Sequence, residues 1–168
     1  EAEANNSAVC TELLYLYPGF FIIMTSSWSS QPGDIFPICK IYIDPDSWTR
    51  IFSSTEDLPS PTQIPEFLET HCEKFDLPPF MPDLARFELV LFQTAENNKQ
   101  VPENVEKLSV NPTLQLLQFS WSHLLYIVRN KPDKPEEILR KEPEFIVIWR
   151  DKDGDRVKKK VASKADLL

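Results

Sequence analysis

Apolar and polar positions change their spacing twice along this chain, and the changes mark out its elements. After Asp44-Pro45, Trp48, Ile51 and Phe52 fall on one helical face, predicting a short helix capped by the Asp44 carboxylate and ending near Ser53. A polar, proline-bearing loop, SSTEDLPSPTQIP, separates it from Ile64, Phe67, Leu68, Cys72 and Phe75, whose three- and four-residue intervals predict a second amphipathic helix. The third follows Leu77-Pro78-Pro79-Phe80. Pro82 suits a first helical turn, and Asp83 sets negative charge at the positive end of the dipole. Leu84, Phe87, Leu91 and Ala95 then make one stripe, widened by Phe92, with Arg86 and Glu88 pointing elsewhere. Taken alone, this element reads as a core-packing helix with a rigid lead-in.

Beyond the polar connector AENNKQVPENVEK the period drops to two. Leu117, Phe119 and Trp121 alternate with Gln118 and Ser120, as in a strand, while Leu124 to Val128 fits strand or helix. A domain boundary is therefore expected near 100–110, dividing a helical domain (5–106) from a C-terminal α/β domain (107–168). Residues 1–4, Glu-Ala-Glu-Ala, are set aside as a processing remnant or fragment edge. A short helical piece, PEEILRK, leads to a hairpin, FIVIWR-DKDGD-RVKKKV. With a two-residue turn at Asp153-Gly154, Arg150 pairs with Val157, Trp149 with Lys158 and Val147 with Lys160. One face then presents Phe145, Val147 and Trp149 beside Lys158 and Lys160. The other, with Ile146, Ile148, Val157 and Val161, is apolar enough to cover a core. The Trp/Lys face suits either a solvated strand whose lysine stems lie on the indole or a surface for a partner. After the hairpin, Ser163 and Asp166 have the spacing of a capping-box variant, so a short or truncated helix is expected there.

Composition narrows the function. With 168 residues, 42% of them hydrophobic, the chain can bury a core, and 3 glycines against 15 prolines imply stiff connections. The net charge of −8 argues against broad nucleic-acid binding. That charge is divided unevenly: residues 1–128 hold six Lys/Arg against 17 Asp/Glu, and 129–168 hold twelve against nine. The apolar run Leu13–Met24 covers twelve residues with Pro-Gly inside it, too short to span a bilayer, and reads as core. Cys10, Cys39 and Cys72 are odd in number and widely spaced, which fits a reducing, cytoplasmic setting better than a disulfide framework.

The chemistry-bearing residues are sparse. Asp151 to Asp155 does not match a calcium loop, since its glycine is fourth and position twelve is Ala162. His71 and His123 stand in no zinc-like pattern, and three glycines cannot build a phosphate loop. No catalytic residue and no metal ligand is assigned.

Taken in order, DIFPICKIYIDPDSW, QIPEFLE, LPPFMPDLARFELVLF, NPTLQLLQFSW and EFIVIWRDKDGDRVKKKV resemble the MbnC/HvfC-type partner proteins of multinuclear non-heme iron oxidases, a family also labelled a DNA-binding domain. The most specific element is Pro82–Glu88, and the likeness spans roughly 34–168. The resemblance implies an α+β protein: an N-terminal helical domain and a small C-terminal winged-helix-like domain with a β-hairpin. It implies a non-catalytic subunit that binds a ribosomally made precursor peptide together with an oxidase that carries the iron and modifies the peptide's cysteines, in some systems for copper handling. Carried onto this chain, Phe145, Val147, Trp149, Lys158 and Lys160 would meet the peptide, and Phe119, Trp121, Arg86 and Glu88 the oxidase. No cofactor is expected in the chain itself. The alternatives are a winged-helix transcriptional regulator, motivated by the basic C-terminal stretch, and a metal or redox protein built on the three cysteines and two histidines.

Overall fold

The computed structural model describes residues 30–52, 59–97, 110–151 and 156–162. Two one-turn helices, α1 (Pro32–Ile35) and α2 (Cys39–Tyr42), precede α3 (Pro45–Phe52), α4 (Ile64–His71) and α5 (Met81–Ala95). Then come β1 (Gln115–Phe119), α6 (Leu124–Asn130), β2 (Glu144–Arg150) and β3 (Val157–Val161), with 3-10 turns at Pro61–Gln63 and Pro135–Glu137. The strands form one antiparallel sheet in the order β1-β2-β3. The fold class is α+β, a mixture of helices with a small sheet.

Local chemistry explains most of the helix starts. Asp44 Oδ1 accepts the amides of Asp46 at 3.1 Å and Ser47 at 2.9 Å, so α3 begins where its cap and proline predict. The Ser47 hydroxyl, and then those amides, hold the Asp44 carboxyl below its ordinary range. Regular α4 ends at His71, and the chain runs on through turns, with Phe75 donating to the His71 carbonyl at 3.2 Å, until Asp76 takes a left-handed conformation (φ 51°) and Leu77 donates back to the Cys72 carbonyl at 2.9 Å. Phe75 is buried all the same. Leu124 to Val128 resolves as helix, entered through His123 at φ 67°. Only Pro135–Glu137 of PEEILRK is helical, and it is a 3-10 turn.

The α5 helix departs most from the single-stripe expectation. Met81, Asp83, Leu84, Ala85, Phe87, Glu88, Leu89, Val90 and Thr94 are all buried, whereas Ala95, placed on the stripe by its spacing, is exposed. It is surrounded: α1, α2 and α4 pack on it, and so do β2 and β3. Phe87 meets Phe119 of β1 edge to face, with centroids 5.7 Å apart. One hydrophobic cluster accordingly contains Ile35, Ile51 and Leu68 from the helices together with Phe119, Ile127, Ile146 and Ile148 from the C-terminal part. The expected boundary at 106/107 lies outside the described residues, as do Cys10, the Leu13–Met24 run, the Asp153-Gly154 turn and residues 163–168. No helix among the described residues is long and apolar enough to cross a membrane.

Candidate functional site

The hairpin has the register its alternation predicts: Arg150 opposite Val157, Trp149 opposite Lys158, Val147 opposite Lys160. Ile146 and Ile148 are fully buried on the inner face. On the outer face Lys158 and Lys160 are exposed, and Phe145 and Trp149 are half-buried. Val147, expected at the surface, is only 6% exposed. It sits in the central strand between Leu116 of β1 and Lys160 of β3, so its neighbours on both sides shield it. Lys158 Nζ lies 3.8 Å from Asp151 Oδ2, a long ion pair at the mouth of the hairpin.

The two edges of this sheet differ. At the β1 edge, α5 supplies side chains in place of a neighbouring strand. Arg86 Nη2 donates to the Gln118 carbonyl at 2.9 Å, and Asp83 Oδ2 accepts the amides of Ser120 at 2.6 Å and Trp121 at 3.2 Å. Asp83 and Arg86 are themselves paired at 2.8 Å, and the guanidinium lies 5.1 Å over the Phe119 ring. At the other end of β1, the Gln115 side chain donates to Thr94 of α5 at 3.0 Å.

The β3 edge has no strand beyond it among the described residues. Asp151 donates to the Arg156 carbonyl at 3.0 Å, and Ala162 donates to the Phe145 carbonyl at 2.7 Å, bracketing the ladder. Bonded and non-bonded pairs alternate along an antiparallel ladder, so Val157, Lys159 and Val161 turn their N–H and C=O groups to the outer edge. Lys159 is half-buried on the inner face. Burial, and then the charge of Arg129 on α6, push its ammonium below the usual lysine range.

The four residues expected at an oxidase interface do not share one surface. Phe119 is 1% exposed and belongs to the core, and Glu88 is 4% exposed. The Glu88 carboxylate accepts the amides of Ile38 at 2.7 Å and Cys39 at 2.8 Å, closing the start of α2. The expectation of a surface role for these two is corrected by their burial. Trp121 is half-buried, with its indole edge-on to Phe80 at 6.5 Å. Arg86 is exposed but committed to Gln118 and Asp83. Asp83 and Glu88 do more than their sequence positions predict. They lie five residues apart, about 140° around a helix, so one reaches the sheet and the other reaches α2. The available signal was Glu88 itself, a lone acid inside the apolar run Phe87 to Phe92.

Burial pushes the Glu88 carboxyl up despite the amides that favour its charged form. Burial and then the adjacent Glu88 push the Cys39 thiol well up, so it is not a poised nucleophile. Among the described residues no group of three or more His, Cys, Asp and Glu side chains converges to hold a metal ion. The chain matches no protein-family model and no curated protein.

Proposed function

We propose that this chain is a non-catalytic partner subunit that binds a precursor peptide as an added strand on β3 and presents it to an iron-dependent oxidase. The observation that carries this reading is the contrast between edges: side chains of α5 occupy the β1 edge, while β3 directs the backbone groups of Val157, Lys159 and Val161 outward beside two exposed lysines. Main-chain bonds to such an edge supply affinity with little regard for sequence, and alternate side chains supply selectivity. The order β1–α6–β2–β3 is consistent with a winged-helix-like peptide-recognition module. In this scheme iron is held by the oxidase, Lys158 and Lys160 favour acidic residues in the peptide, and Trp149 supports the lysine stems.

The reading expects an oxidase gene and a short Cys-containing precursor beside this gene, and the test is co-expression with them, followed by co-purification and peptide mass measurement. A complex of the three, with modified cysteines in the peptide, is expected. K158E/K160E is expected to lose the peptide while keeping the oxidase. Turnover by this chain alone would overturn the reading, and peptide retention by K158E/K160E at wild-type affinity would remove its charge part while leaving strand addition standing.

A further inference from the structure

The β3 edge carries cations on both faces, and this asks more of a ligand than a general preference for acidity. Lys158 and Lys160 stand on the outer face, and Lys159 between them points to the inner face. Val157 packs against the hydrophobic cluster at one end, and Val161 at the other is 47% exposed. Side chains of an added strand alternate between the same two faces. Residues opposite Lys158 and Lys160 would therefore lie on the outer face, and the residue between them would enter on the inner side, facing Lys159.

We infer that the segment recognised by β3 is five residues long, with three consecutive acidic residues between two apolar ones, its central carboxylate seated on the inner face by Lys159. This deepens the peptide-binding reading and rests on it. The ligand pattern is the complement of Val157-Lys158-Lys159-Lys160-Val161 and is symmetric, so it holds for parallel or antiparallel addition. The inner position is the more selective of the two. Lys158 already has the Asp151 carboxylate at 3.8 Å, whereas Lys159 faces the like charge of Arg129 in a partly desolvated setting, where an incoming carboxylate is attracted by both.

The experiment uses the full chain and fluorescein-labelled nonapeptides, followed by anisotropy at low salt. Their central five residues are isoleucine, three glutamates and valine, with glutamine replacing all three acids, the central one, or the outer two. The all-glutamate peptide is expected to bind about tenfold or more tightly than the all-glutamine peptide. Replacing only the central glutamate is expected to weaken binding to wild type about threefold or more. That loss should vanish in K159Q, while the loss from the outer pair vanishes only in K158Q/K160Q. Circular dichroism checks that each variant keeps its fold. Equal affinity for acidic and amide peptides, or a central loss that survives in K159Q, overturns the inference and leaves strand addition standing. Failure of every peptide to bind removes both this inference and the strand-addition reading, and co-purification then decides separately whether the oxidase is a partner.

Discussion

Glu88 shows how one side chain is decided by what it meets. A lone acid in an apolar helical run is costly to bury, yet two backbone amides at the start of α2 supply it with partners. Replacing it with alanine leaves those amides buried and unpaired, at about 1–3 kcal/mol each, so E88A is expected to lose about 3 kcal/mol, read from urea midpoints. The pH dependence has a definite sign. Native Glu88 holds its proton more tightly than the unfolded chain does, so its contribution falls as pH rises from the ordinary value of 4.5 through the raised native value. The groups facing it are the neutral Cys39 thiol and the Lys131 ammonium. E88Q is expected to flatten this part of the stability profile, and a profile identical to wild type would refute the assignment.

At the scale of elements, α5 and the strands define each other. Its first two turns carry Pro82–Glu88, and within them Asp83 and Arg86 close the β1 edge. Unpaired strand edges are templates for association, and charged side chains laid across them are a known protection. D83S/R86S is therefore expected to remain folded but to self-associate at high concentration, seen as a concentration-dependent mass by light scattering. A variant that stays monomeric would show that the pair protects nothing. The hairpin register of the flanking strands was legible because period-two alternation, with the Asp-Gly turn expected from the sequence, specifies which residues face each other. Exposure on the outer face was less legible. Val147 is shielded because β2 turned out to be central, flanked by β1 as well as β3.

Across the whole molecule, the shared cluster around α5 predicts cooperative unfolding. Ile35, Leu68 and Phe87 belong to the same buried set as Phe119, Ile127 and Ile148, so the helical part cannot melt without exposing the underside of the sheet. Urea unfolding followed by far-UV circular dichroism and by tryptophan fluorescence is expected to give coincident transitions. Two separated transitions would mean that the halves divide near residue 106 as independent domains. Charge is uneven at this scale too, with the net positive stretch confined to 129–168, where β2 and β3 lie.

What the amino-acid order determined by itself were the local elements. Asp44-Pro45 starts α3, Pro82 opens α5, and the alternation around Trp149 specifies the pairing of β2 with β3, because caps, proline geometry and side-chain period act over a few residues. Only the tertiary structure decided that α5 is buried nearly all round, that Asp83 and Glu88 bond to amides far along the chain, and that α5 side chains close the β1 edge. Those outcomes depend on which distant backbone groups arrive beside a side chain, and no local spacing carries that information.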